Sequence, residues 1–274
     1  MISYRDIAAG LASLELNRST PVLAHVAPSR LGEIRGGIDT LLGALLATVD
    51  NVMMPCFTYS TMVIPEKGPE DNYLDYGSGR EANLNAAIFN HDLPSDMPDY
   101  EISEALRKYP GTYRSEHPIL SFTGLGLDIA LINHSPDDPY APVRSLKELK
   151  GWVVLVGAEP ASNFSLHYAE HLANRKQFVR WALTDGGIVE CPHFPGCPEG
   201  FHKIHYYLQD ELRVTTVGES TWYAVPMDVL IDSAVALIKD DPFALLCNSL
   251  SCPRCNLVRK AIKSQIANHW QPEE

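Results

Sequence analysis

No stretch of the chain approaches the roughly 20 consecutive apolar residues that a membrane-spanning helix needs. The first residues, Met1-Ile2-Ser3-Tyr4-Arg5-Asp6, lack the basic-then-apolar layout of a secretory leader. Basic residues are scarce: 22 Lys and Arg stand against 34 Asp and Glu, a formal net charge of −12. That sign disfavours nucleic acid and anionic membrane and favours cationic partners. Internal repeats, low-complexity tracts and clean linkers are absent. With 45% hydrophobic residues over 274 positions, the chain is long and apolar enough to bury a large core, which excludes a disordered or fibrous protein. These absences predict a cytoplasmic protein with no membrane or nucleic-acid partner. Six cysteines in such a compartment are thiols or metal ligands rather than disulfides.

What is present alternates between strand and helix. Residues 4–15 carry helical spacing, Pro21 to Val26 reads as a strand, Gly36 to Leu46 as an amphipathic helix, and Asn51 to Phe57 as the next strand. That β-α-β order predicts an α/β fold with a central, mostly parallel or mixed sheet flanked by helices. From Pro65 to Asn85 the pattern dissolves into Gly, Pro, Asp, Glu and Asn, a length at which a loop is usually functional. Helices are predicted over 102–108, 128–133, 226–239 and 256–268, with Trp270 to Glu274 as a frayed end. Across Thr184-Asp185-Gly186-Gly187, the segments 178–183 and 187–191 alternate as an antiparallel hairpin extending the sheet. The whole of 1–274 is predicted as one domain, with 176–216 as a hairpin extension and 247–268 as a Cys-rich turn plus C-terminal helix.

The most informative stretch is the apolar run Trp152 to Val156, closed by Gly157 and followed by Leu166-His167-Tyr168-Ala169-Glu170-His171-Leu172. It reads as a buried strand, then a loop with the possible caps Asn163 and Ser165, then a helix. His167 and Glu170 are three apart and share a helix face. A histidine and a carboxylate beside the carboxyl end of a buried strand stand where α/β proteins place their sites. The carboxylate can fix the imidazole tautomer, as a general base requires. The alternative is a surface His and Glu with no chemistry.

Four segments in order resemble the aminoglycoside 3-N-acetyltransferase family. They are His25 with Ser29 and Gly36-Gly37, Met53-Met54-Pro55-Cys56-Phe57-Thr58, Arg114-Ser115-Glu116-His117-Pro118 with Ser121-Phe122, and Leu166-His167-Tyr168-Ala169-Glu170. Spacing and order agree over residues 20–260. Ala27-Pro28 departs from the family's Ser-Leu, and Asp138-Pro139-Tyr140-Ala141 followed by Arg144-Ser145-Leu146 departs from its Asp-x-Pro-Tyr-Gly and Ser-Pro-Leu. The resemblance implies a fold distinct from the commoner acetyltransferase fold built on a splayed strand. It also implies acetyl transfer from acetyl-coenzyme A to an amine of an aminoglycoside, by direct transfer without a covalent enzyme intermediate.

The same resemblance assigns roles. His167 is implied as the general base, with Glu170 orienting it or receiving the substrate ammonium, and His25 as a second site residue near the thioester or a structural histidine. Arg114, Ser115 and Ser121 are implied for pantetheine and phosphate contacts, with Ser29 and Arg30 on a second coenzyme A loop; His117 joins this set or only shapes its loop. Arg114 in a buried ion pair is the structural alternative. A polycationic acceptor needs acidic walls, and Glu66, Glu70, Asp71, Asp75, Asp96, Asp99, Glu101, Asp137 and Asp138 in the acidic loops 65–76, 95–104 and 134–140 are candidates for them, with Asp71, Asp75 and Asp138 as the expected substrate contacts and solvated loops as the alternative.

The cysteines form a separate signal. Cys191-x5-Cys197 lies in one loop and Cys247-x4-Cys252-x2-Cys255 in another. Cys191, Cys197, Cys252 and Cys255 are the candidate ligands of a structural zinc, with Cys247 or His193 able to replace one; plain reduced thiols are the alternative. Two rival readings of the whole stay open. One is the same chemistry on another small amine, such as an aminophosphonate or a biosynthetic intermediate. The other is a zinc-organised binding protein without catalysis.

Overall fold

The structure, a computed structural model, describes residues 1–208 and 210–269, so the end at 270–274 lies outside the described residues. The helices are α1 (Tyr4–Ser13), α2 (Gly37–Thr48), α3 (Arg80–Asn83), α4 (Glu101–Arg107), α5 (Asp128–Ile132), α6 (Ala141–Glu148), α7 (Ser165–Leu172), α8 (Met227–Asp240) and α9 (Pro253–His269). The strands are β1 (Pro21–Val26), β2 (Asn51–Pro55), β3 (Met62–Val63), β4 (Tyr113–Arg114), β5 (Phe122–Leu125), β6 (Trp152–Val156), β7 (Phe178–Thr184), β8 (Gly187–Phe194), β9 (Arg213–Val217) and β10 (Ser220–Pro226). Among them no helix is long and apolar enough to cross a membrane.

Seven strands form one mixed sheet in the order β4-β5-β2-β1-β6-β10-β9. Only its centre is parallel: β1 runs parallel to both β2 and β6, and every other pair is antiparallel. The central strands read as unbroken apolar runs because both faces are covered. Their period of two sorts the side chains. Val22, Ala24, Val52, Met54, Val154 and Val156 pack with α1, α2 and α4 on one face. Leu23, Met53, Val153 and Leu155 pack with α5, α6, α7 and α8 on the other. His25, two residues after Leu23, therefore falls on the α7 side of the sheet.

The α/β class with a mixed central sheet agrees with the sequence reading, and one feature of the hairpin does not. Strands β7 and β8 do pair across the expected turn, but they leave the main sheet and join β3 in a second, three-stranded antiparallel sheet. The reason is local: Met62 and Val63 offer an edge that pairs with Ala182 and Trp181. At the end of 176–216 and one residue beyond it, the main sheet instead gains β9, which pairs with β10. At the carboxyl end of β6, Gly157 adopts φ +65° and a Cβ there would stand 2.7 Å from Leu31 Cδ2. Only glycine lets the chain turn so closely over the loop after β1.

Candidate active site

A cavity of about 560 Å³ opens at the carboxyl ends of the three parallel strands, the place an α/β sheet offers a ligand. Its floor is Ala24 to Ala27 of β1, Met54, Pro55 and Phe57 after β2, and Ala158 after β6. His25 and His167 both line it. The second sheet contributes Arg180 and Phe194, and the loops 97–103 and 194–199 close the sides.

His167 is held from three directions. Its ring packs on Phe201 at 4.7 Å between centroids and on Phe164 at 5.9 Å. Behind it, Nδ1 lies 2.7 Å from Glu170 Oε2, and Glu170 Oε1 accepts from Arg175 Nη1 at 2.9 Å. Arg175 continues the chain by donating to the carbonyls of Pro242 and Ala244 at 2.8 and 2.7 Å. Burial pushes the Glu170 carboxyl up, but the hydrogen bond from His167 and the charges of His167 and Arg175 outweigh it, so its pKa is lowered and it stays a carboxylate. A carboxylate facing Nδ1 fixes the proton there and leaves Nε2 as the basic atom. Glu170 itself does not line the cavity; its oxygens are spent on His167 and Arg175. The loop before α7 is closed by Asn163, whose Oδ1 accepts from Ser165 N at 3.1 Å.

His25 is buried with Nε2 unpartnered, and burial alone lowers its pKa to about 3. It is a neutral imidazole at any working pH. Ser29 and Arg30 sit exposed in a short 3₁₀ turn at the rim; Ser29 N donates to Asp99 Oδ1 at 3.0 Å and Arg30 pairs with Glu159.

The structure does not bring Arg114, Ser115, His117 and Ser121 to the cavity. All four are buried, and apart from His117 Nε2, which has no partner among the described residues, their polar atoms are used inside the protein. Arg114 donates to Ser121 Oγ and to the carbonyls of His91, Leu93 and Cys56. Ser121 Oγ donates to Cys56 O at 2.7 Å, and Ser115 Oγ accepts from Phe122 N at 2.8 Å. His117 Nδ1 accepts from Ile119 N and Leu120 N, which turns the loop. Arg114 is thus an organiser of the β4–β5 connection, paired with carbonyls and not with the carboxylate that the alternative reading supposed.

Of the acidic candidates Asp99 lines the cavity, and the expected substrate contacts Asp71, Asp75 and Asp138 lie off it. Asp71 is exposed and paired with Lys260 at 2.8 Å, Asp75 is exposed, and Asp138 accepts from Arg144 at 2.7 Å. Glu199 is the other carboxylate that lines the cavity, together with the guanidiniums of Arg180 and Arg254. Among the described residues neither arginine forms an ion pair: Arg180 donates to the carbonyls of Asn72 and Val179, and Arg254 to that of Gly196 at 3.1 Å. Arg175, Arg180, Arg254 and Glu199 lie beyond the sequence reading. Only Arg175, five residues past Glu170, carried a local signal.

The cysteine set needs one correction. Cys191 is a β8 residue buried in the main core, where burial pushes its thiol up to about 12. Cys197, Cys252 and Cys255 gather with Cys247 instead, their sulfurs all within 4.8 Å of one another. Strand alternation turns Cys191 inward, whereas Cys197 lies past the end of β8 and is free to meet the C-terminal turn.

With this geometry in view, comparison with known proteins is informative. Residues 23–239 match the family model described as aminoglycoside 3-N-acetyltransferase. An aminoglycoside N(3)-acetyltransferase IX of Micromonospora chalcea is 33% identical over 184 residues, which are 62% of this chain and 63% of that protein. The match therefore spans less than two thirds of that relative's length. Among solved structures, the aminoglycoside acetyltransferase AAC(3)-IVa apoenzyme superposes with a TM-score of 0.75 at 20% identity, over 95% of this chain and 98% of that one. The binary complex of AAC-IIIb with CoASH gives a TM-score of 0.69 at 24% identity, over 87% and 96%. At these identities the two likenesses show a shared fold.

Proposed function

The chain belongs to the aminoglycoside 3-N-acetyltransferase family, and from that membership we propose that it transfers the acetyl group of acetyl-coenzyme A to an amino group of an aminoglycoside. The observation that carries the reading is the buried His167–Glu170–Arg175 chain ending on a cavity wall at the parallel centre of the sheet. A fold neighbour solved with CoASH supports the donor.

The chemistry follows from the residues. The acceptor must be a free amine, since an ammonium has no lone pair. Its nitrogen attacks the thioester carbonyl carbon, His167 Nε2 takes the proton that the nitrogen sheds, and the carbon–sulfur bond breaks to leave coenzyme A as the thiolate, which then takes a proton. Glu170 stabilises the imidazolium as it forms, and Arg175 holds Glu170 ionised. We assign His25, neutral and unpartnered at Nε2, to polarise the thioester carbonyl. Ser29 and Arg30 at the rim are the proposed contacts for coenzyme A.

One observation favours a second reading of the acceptor. Two guanidiniums that pair with no carboxylate among the described residues, Arg180 and Arg254, line the same cavity as Asp99 and Glu199. Such a lining suits a small amine that also carries an anionic group, such as an aminophosphonate. Purified protein given acetyl-coenzyme A and two panels of amines, aminoglycosides and aminophosphonates, with thiol release followed, separates the readings. Turnover with neither panel, in protein that binds coenzyme A, rejects both acceptors; protein that does not bind coenzyme A rejects the acetyltransferase reading itself.

A further inference from the structure

Four sulfurs from two segments far apart in the chain meet beside the cavity. Cys197 comes from the loop after β8, and Cys247, Cys252 and Cys255 from the turn into α9. All four lie within 4.8 Å of one another, and a tetrahedral zinc with bonds of about 2.3 Å spaces its thiolates by about 3.8 Å. Small rotations of the side chains close that gap. Cys197, Cys247 and Cys255 are buried and Cys252 is partly so, which is the shielding of a closed structural site with no open position.

Three further observations point the same way. First, the sulfurs sit in a satellite core of their own with Leu246, Val258 and Ile262, too small to hold α9 by burial alone. Second, a zinc with four thiolates is net anionic, and the carbonyls beside the ligands are gripped by cations: Lys203 donates to Leu246 O, Arg259 to Cys247 O and Arg254 to Gly196 O. Third, the two segments approach backbone to backbone at Gly200, where a Cβ would stand 2.2 Å from Leu245 O.

We propose that Cys197, Cys247, Cys252 and Cys255 bind one zinc ion, and that this joint fixes the loop wall of the cavity. Gly196, Pro198 and Glu199 flank Cys197, and Arg254 lies between Cys252 and Cys255; all four flanking residues line the cavity. Soft thiolate donors select zinc over magnesium or calcium, and four thiolates fill a tetrahedral shell, which makes the ion structural rather than catalytic. The importance of the wall for acceptor binding rests on the function proposed above, but the metal does not.

The test is therefore made without turnover. Protein incubated with zinc under reducing conditions and desalted is expected to hold about one equivalent per chain. Cobalt in its place should give the intense charge-transfer absorption of thiolate ligation. Cys247→Ser should lose the metal and Cys191→Ser should keep it. Hydrogen exchange on the wild type before and after chelation should quicken in 195–208 and 245–256 and stay unchanged in β1, β6 and α7. Four freely titrating thiols and no retained zinc, or disulfides among the four, would overturn the site. Zinc retained with identical exchange after chelation would overturn its role in the wall.

Discussion

Glu170 Oε2 lies 2.7 Å from Nδ1 of His167, three residues earlier on the same helix, and both side chains are buried. The spacing is one that an α-helix provides without strain, and the short distance requires a shared proton between imidazole and carboxylate. Because burial removes competing water, the pair has a single arrangement, with Nε2 left for the cavity. If His167 is the base, as proposed, His167→Ala should lower kcat by about 10²-fold or more while leaving coenzyme A affinity nearly unchanged, because a base acts on the amine proton. A folded His167→Ala protein with near-full turnover would reject the assignment.

Arg175 has a structural consequence that can be measured apart from catalysis. It neutralises buried Glu170 and ties the end of α7 to the carbonyls of Pro242 and Ala244. Arg175→Met leaves a buried carboxylate without its cation, a change that typically costs about 3–5 kcal/mol. Glu170→Gln in that background should recover part of the loss, since the uncompensated charge is then gone. Urea denaturation of the two variants checks this; a loss well under 1 kcal/mol in Arg175→Met would mean that Glu170 is already neutral.

How far these features are legible in the sequence depends on how local their causes are. Strands β1, β2 and β6 and helices α2, α7 and α8 announce themselves through runs of apolar residues and helical spacing. So does the His167–Glu170 pair. The partner of the β7–β8 hairpin does not, because β3 is two residues long and carries no period. Helix α6 hides for a related reason: it begins Ala141-Pro142 inside a segment that reads as a loop. Arg114 shows the limit for sites, since a sequence displays a guanidinium but not the four internal acceptors that occupy it. Cys191 and Cys197 look equivalent in the sequence, and only the strand's end between them separates a core thiol from a member of the four-sulfur cluster.

Buried neutral histidines make the fold sensitive to acid. His25 and His117 are held at about 3, chiefly by burial, against 6.5 when exposed. The unfolded chain then takes up protons that the folded chain refuses, so stability is full above pH 6.5 and is lost as pH falls from there toward 3. Each such histidine contributes a slope of up to about 1.4 kcal/mol per pH unit in that window. The lowered pKa of Glu170 adds loss of the same sign in acid. His25→Leu should flatten the stability profile between pH 6 and 4 by about one proton, as measured from urea midpoints at several pH values. An unchanged slope would mean that His25 gains its proton in the folded state.

The acidic residues separate a cationic acceptor from an anionic one. Asp99 and Glu199 line the cavity, whereas Asp71 is engaged by Lys260 at the surface and Asp75 is exposed. If a polycation is the acceptor, Asp99→Asn and Glu199→Gln should each raise its KM, by about five- to tenfold if each removes roughly 1–1.4 kcal/mol of attraction in the partly screened cavity. Asp71→Asn and Asp75→Asn should leave KM within about twofold, because exposed charges outside the cavity are screened over about 10 Å at moderate salt. Kcat should hold steady in all four, since none of these carboxylates touches His167. An anionic amine reverses the order: the Asp99 and Glu199 variants should bind it more tightly and Arg254→Gln less so. Steady-state kinetics on the four aspartate and glutamate variants and Arg254→Gln, with one amine of each kind, decides the matter; equal effects of Asp71 and Asp99 on KM would mean that the acceptor reaches beyond the cavity to the loop at 65–76.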